Sequence, residues 1–306
     1  MADFRLLNYS SLSRLDEVRP GILVGHSNII DLRDAIPTVE WSSSTLAVLN
    51  MWEEALPALH ALAEAPLRSA ISLDSVKLRA PLLYPPAIYC AAANYVAHAA
   101  EMSPEGKGID KSTTQPYFFL KSGPHCVISS GDAVRLPATT NQLDWEGELA
   151  VVIGKRARNV RVEDAMSYVA GYTVMNDLSA RDLGRRPDWP RLGIDWFGHK
   201  NFDGAAPMGP WITPADQIAD HTKCHLRLWV NDEKKQDALI DDLIFKVPEL
   251  IKYLSRQMTL LPGDVIATGT PSGVGRPKGT FLKPGDTVRV EISGLGVLEN
   301  CVEQGE

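Results

Sequence analysis

The sequence of 306 residues has only four cysteines. Cys90, Cys126, Cys224 and Cys301 are scattered, with no pair at metal-ligand spacing. That excludes zinc ribbons and disulfide frameworks and predicts reduced thiols. No run of 18 apolar residues occurs, so no transmembrane helix is expected. The first residues, Met1-Ala2-Asp3-Phe4-Arg5, lack the basic and apolar stretches of a secretion signal, and a cytoplasmic location is expected. Basic charge is scarce as well: the net charge of −7 disfavours a nucleic-acid partner. Two catalytic signatures are missing. There is no Gly-x-Ser-x-Gly elbow, which argues against an ordinary serine hydrolase. The glycine-rich stretch from Thr268 to Gly275 lacks the Gly-Lys-Ser/Thr ending of a nucleotide loop. It reads instead as close backbone approach to a ligand, with Thr270 as a hydrogen-bond donor.

What is present is a chain long enough to bury one large core or two modest ones. From Phe4 to about Asp34, short apolar runs alternate with turn residues such as Arg19-Pro20-Gly21, which predicts a small β-meander. Between Thr45 and Glu64, Leu46, Leu49, Trp52, Leu56, Leu59 and Leu62 recur near helical spacing, and Pro57 is expected to kink or divide that helix. A Pro-containing connector follows, from Arg79-Ala80-Pro81 to Pro85-Pro86. These marks predict a small N-terminal β-rich domain over 1–80 and a catalytic domain over 81–306. Strand candidates in the second are 117–120, 149–153, 171–175, 224–230, 264–267 and 287–293, with helices at 162–168 and 247–258. Gly294-Leu295-Gly296 predicts a hairpin joining the last two strands. Strands outnumber helices and do not alternate with them. The expected fold class is therefore α+β, predominantly β: a β-roll or sandwich rather than a doubly wound sheet.

The chemistry concentrates in Asp144-Trp145-Glu146-Gly147-Glu148, followed by the strand-like Leu149-Ala150-Val151-Val152-Ile153. Alternate residues of a strand share a face, so three carboxylates would crowd together beside an apolar core. An exposed acidic strand edge is the plain reading, and a hard divalent cation held by carboxylate oxygens is the sharper one. Gly171 to Asp177 reads as a strand ending in a further carboxylate. Alone, such an Asp is a turn residue; beside Glu146 and Glu148 it completes a three-carboxylate site with positions open to substrate. His98 and Glu101 stand at i and i+3, where a helix would let the carboxylate orient the imidazole. The polar segment after them, from Met102 to Gly108, suits a mobile lid. Lys121 and Lys200 follow and precede aromatic residues, and either could balance an acidic site or a substrate carboxylate.

Taken in order, five blocks resemble the fumarylacetoacetate hydrolase family: Asn94 to Glu101, Asp144 to Leu149, Gly171 to Asp182, Lys200 to Asp203, and Gly263 to Gly275. The resemblance covers roughly residues 85 to 303; the first 80 residues look like the variable N-terminal part of longer members. It implies a mixed β-sandwich roll, usually a homodimer, with Mg2+ or Mn2+ (or Ca2+) in its mouth. The implied ligands are Glu146, Glu148 and Asp177, with Asp144 outside the ligand set. The implied base is His98, oriented by Glu101, with Lys121, Lys200 and Thr270 contacting the substrate or stabilising its charge. Arg181 and Arg185 are further candidates for substrate contact, Arg185 as a replacement contact beside a departure from the family pattern. Two departures stand out. Gly184 replaces a Gln that many relatives carry, and Gly204 replaces a Thr, so a roomier or differently polar pocket is expected.

What the family implies as reaction is hydrolysis of a carbon–carbon bond in a 2,4-dioxo, acylpyruvate-like acid. A metal-stabilised enolate would leave after attack by water that His98 activates. The alternative keeps the site and changes the reaction to isomerisation, hydration or decarboxylation of a 2-oxo or hydroxymuconate-type diacid, because fold and ligands alone do not choose. A non-catalytic binding homologue is the remaining reading, and the complete acidic set speaks against it.

Overall fold

A computed structural model describes residues 3–66, 69–103 and 105–305. Met1, Ala2 and Pro104, which enter the expectations about the N-terminus and the lid, lie outside the described residues.

The architecture follows from one strand buried on both sides. Along Gly147–Ile153 every residue is buried, and alternate side chains serve different cores, as the two-residue period of a strand requires. Leu149, Val151 and Ile153 pack with Leu226, Leu228, Val288, Val290 and Leu298. These partners come from a five-stranded sheet that includes the antiparallel strands His225–Val230, Thr287–Ile292 and Gly296–Gln304. Ala150 and Val152 point the other way, into a core with Phe4, Leu6, Leu49, Trp52 and Leu59. The strand is thus the middle of a sandwich whose back is covered by N-terminal helices. The expected hairpin forms at Gly294 and Gly296, with Ile292 opposite Gly296.

Gly147–Ile153 belongs to a 12-stranded sheet. Val169–Asn176 and Val265–Ala267 flank it, both antiparallel. The N-terminal meander forms over Phe4–Ser11, Arg14–Val24 and Asn28–Asp31. Its first strand pairs with Ala206–Pro214, Leu6 opposite Ile212, so meander and roll share one sheet.

The amphipathic stretch after residue 44 is two helices, Thr45–Asn50 and Trp52–Glu64. They part at Met51 and not at Pro57, which lies inside the second helix. Early in a helix a proline forfeits one backbone bond but can be kept where packing compensates, and Trp52, Ala55 and Leu59 on that helix are buried. Residues 162–168 form a 3-10 helix, and Val247–Gln257 an α-helix whose Val247, Leu250, Ile251 and Leu254 are buried. Among the described residues no helix is long and apolar enough to cross a membrane.

Candidate metal centre

Two paired strands deliver three carboxylates to one point. Glu148 is the second residue of Gly147–Ile153, Glu146 lies just ahead of it, and Asp177 directly follows Val169–Asn176. Gly147 pairs with Asn176, which sets the acids side by side. One oxygen from each lies within 4.8 Å of the others, and all three residues are buried. The backbone locks the register: Asp177 N donates to Glu146 O at 2.8 Å, and Glu146 N to Asn176 Oδ1 at 3.0 Å.

Three buried cations face these acids. Lys200 Nζ donates to Glu146 Oε2 and to Asp177 Oδ2, each at 2.7 Å. Arg181 donates to Glu146 Oε1 at 2.5 Å and to Asp144 Oδ2 at 2.8 Å. Lys121 Nζ lies 2.9 Å from Asp177 Oδ1, yet it donates to the carbonyls of Leu178, Lys200 and Ala205. Counting Asp144, four buried carboxylates meet three buried cations. The deficit falls on Glu148, whose Oε2 accepts only a backbone N–H, that of Gly269 at 2.8 Å. Burial, reinforced by Asp177 and Glu146, pushes its carboxyl well above the usual range. Burial acts on Glu146 in the same sense, but Lys200 and Arg181 outweigh it and hold that carboxyl well below the usual range.

Asp177 Oδ1 is buried and accepts no hydrogen bond. A buried carboxylate oxygen that accepts no hydrogen bond, a Glu148 held only by one backbone N–H and an all-oxygen donor set fit a hard divalent cation, which Glu146, Glu148 and Asp177 would hold.

The expected dyad sits on the helix Val96–Met102, where His98 Nδ1 and Glu101 Oε1 are 2.9 Å apart. Glu101 also accepts from Gly273 N at 3.1 Å, tying the helix to the glycine-rich loop. Gly273 has φ +102°, and a Cβ there would lie 1.9 Å from Lys235 O, so only glycine can present that N–H. His98 is buried and its charge lowers the Glu146 carboxyl, which places the ring beside the triad.

The model of the fumarylacetoacetate (FAA) hydrolase C-terminal domain matches residues 87–303. The chain belongs to the fumarylacetoacetate hydrolase family. An oxaloacetate tautomerase of Xenopus laevis, a mitochondrial protein, is 37% identical over 278 residues, spanning 90% of this chain and 82% of that one. An oxaloacetate tautomerase of Bacillus subtilis is 43% identical over 237 residues, 76% of this chain and 74% of its own. Among solved structures, maleylpyruvate hydrolase from Sphingobium sp. SYK-6, in complex with manganese(II) and pyruvate, matches with a TM-score of 0.78. It is 31% identical and the match covers 99% of this chain and 100% of that one. The α+β, predominantly β roll is the fold of this family.

Not every residue singled out in the sequence stands where a ligand could reach it. Asp144 leaves the triad: Leu143–Asp144 pairs with Ser179–Ala180 in a separate ribbon, and its carboxylate accepts from Gly275 N at 2.7 Å and Arg276 N at 3.1 Å. Arg181 is spent between Asp144 and Glu146. The Thr270 hydroxyl donates to Gly147 O at 2.9 Å and accepts from Gln236 Nε2 at 2.8 Å, so it braces the strand that carries Glu148. Arg185 is exposed and makes no contact with the triad; its charge, like that of Arg181, adds to burial in lowering the Arg276 guanidinium.

The two departures from the family pattern have different physical outcomes. Gly204 adopts φ +77° and packs on Ile128. At Gly184 the space is not empty: a Cβ there would come within 3.2 Å of His199 Nδ1. His199 and Gln236 carry no signal in the sequence read alone, and Asn94 opens one of the five blocks without its role being legible there. Asn94 pins the helix of His98, donating to Phe245 O at 2.9 Å and Thr268 O at 2.8 Å.

Proposed function

We propose that this family member is a divalent-metal-dependent enzyme that enolises a 2-oxo acid, and that its reaction is the keto–enol tautomerisation of an oxaloacetate-like diacid. The observation that carries the reading is the buried acidic triad together with the His98–Glu101 pair, whose imidazole bears electrostatically on Glu146. Likeness to two oxaloacetate tautomerases supports the choice of reaction. A divalent cation such as Mg2+ or Mn2+ at Glu146, Glu148 and Asp177 would supply Lewis-acid polarisation of the 2-oxo carboxylate.

The chain's own groups divide the remaining work. Glu101 fixes the imidazole through Nδ1, leaving His98 Nε2 to take the proton from the carbon next to the keto group. A lysine ammonium has three donors, and Lys200 spends two on Glu146 and Asp177. Its third would donate to the oxygen on which charge builds. The proton returned to that oxygen completes the tautomerisation with no net loss or gain.

A second reading, hydrolysis of a carbon–carbon bond in an acylpyruvate-like acid, is favoured by the likeness to maleylpyruvate hydrolase. It uses the same His98 nitrogen to deprotonate a water. One experiment separates the two: follow Mn2+-dependent decay of the oxaloacetate enol absorbance, and pyruvate release from a panel of acylpyruvates. Enol decay without pyruvate from the panel supports the tautomerase. Pyruvate release matched to loss of an acylpyruvate makes the protein a hydrolase, and no metal-dependent change in either substrate class removes both readings.

A further inference from the structure

One buried polar side chain at the edge of this site has no partner. His199, in the short helix Trp196–Lys200, is 5% exposed, and neither ring nitrogen makes a hydrogen bond. Its ring is clamped rather than loose. It stacks on Trp196 at 5.8 Å between centroids, and Trp196 in turn stacks on Phe119 at 4.7 Å. The ring lies close against Gly184, where a Cβ would stand 3.2 Å from Nδ1 and 3.3 Å from Cγ and would press the ring back by a few tenths of an ångström. Burial first, and then the charges of Lys200 and Arg181, lower its pKa to about 2, so the ring is neutral, with one donor and one acceptor nitrogen. The charges that bear on it are those of Lys200, Arg181, Glu146 and Lys121, the same residues that frame the triad.

Orphaned buried donors and acceptors are rare in folded proteins because each forfeits its bond to water. A rigidly held ring with both nitrogens unused, bordering a site for a polar ligand, is pre-organised for recognition. We propose that His199 contacts the substrate and sets specificity: seated in the space left by Gly184, its imidazole hydrogen-bonds the distal polar group of the oxo acid whose 2-oxo carboxylate lies at the triad. This rests on the oxo-acid reading above. It predicts a preference for acids that carry a second carboxylate or carbonyl over those that end in a methyl group.

The test compares two stable probes by calorimetry on Mg2+-loaded protein. Oxalate presents only the chelating end, and N-oxalylglycine adds a distal carboxylate. His199→Ala is expected to weaken N-oxalylglycine by about tenfold, the worth of one hydrogen bond to a charged group, and to leave oxalate within about twofold. His199→Gln, which keeps a donor and an acceptor, is expected to restore most of the loss, and Gly184→Ala to reproduce part of it by crowding the ring. Equal binding of both probes by His199→Ala and the parent protein would overturn the proposal alone, as would an equal loss for both probes. A parent protein that binds Mg2+ but neither probe would overturn the oxo-acid reading, and this inference with it.

Discussion

Lys121 stands 2.9 Å from Asp177 Oδ1 with its protons committed to three backbone carbonyls. Lys200, by contrast, bonds the carboxylates themselves, with the Phe119 ring centroid 4.8 Å from its Nζ. The two lysines should therefore fail differently. Lys121→Met takes the donor from the carbonyls of Leu178 and Lys200, at about 1–3 kcal/mol each, while Ala205 O keeps the N–H of Leu178. Urea unfolding should show a stability loss of at least about 2 kcal/mol, with or without Mn2+. Lys200→Met should lose activity, and added metal should recover much of its lost stability by neutralising Glu146 and Asp177. Equal metal rescue of both variants would contradict the assignment.

Metal should stabilise the fold through the Asp177 oxygen that accepts no hydrogen bond. Saturating Mn2+ at a hundredfold over Kd is worth about 2.7 kcal/mol, enough to raise Tm by several degrees in a thermal scan. Asp177→Asn should abolish that rise. A variant whose Tm still climbs with Mn2+ as the parent's does would place the ion elsewhere.

His98→Asn removes the proposed base while keeping a polar group on the helix. Turnover should fall by about two to four orders of magnitude, with Mn2+ affinity by calorimetry unchanged. Normal turnover in this variant would remove His98 from the chemistry.

Much of this site was legible because its parts are local in sequence. Glu146 and Glu148 flank one glycine, Asp177 ends a strand, and His98 and Glu101 are one helical turn apart. What escaped depends on contacts across long separations. Strand alternation alone put Asp144 with the other acids; the family resemblance set it outside the ligands, and the fold gives its carboxylate to Gly275 and Arg276, more than a hundred residues on. Thr270 read as a free donor because nothing nearby shows that Gln236 and Gly147 use up its hydroxyl. A missing side chain at Gly184 suggested room, and only the fold shows His199 filling it. Pro57 does not divide the helix, which breaks at Met51, because the buried Trp52 and Leu59 offset the local cost of the proline.

Away from the site, Asp264 supplies a pH signature. Its carboxyl is 2% exposed and accepts from Leu261 N at 2.7 Å; burial pushes it up to about 6. The folded state therefore holds this proton more tightly than the unfolded chain does. That contribution is full below about pH 4 and is lost as pH rises through about 6. Asp264→Asn should flatten this part of the stability profile, measured by urea midpoints from pH 4 to 7. An unchanged slope would mean that the carboxyl titrates normally.

The pairing of Phe4–Ser11 with Ala206–Pro214 also governs the order in which the protein can be made. On that side Val76–Arg79 pairs with the end of the first strand, from Asn8 to Ser11, but the part around Leu6 has no sheet neighbour until some two hundred residues later. Until then its apolar face, Phe4, Leu6 and the covering helices, can only be sheltered provisionally. Such sequence-distant pairing slows folding and lengthens the time that unpaired edges are open to other chains. Refolding yield should accordingly depend on concentration far more steeply than the stability of the finished molecule would suggest.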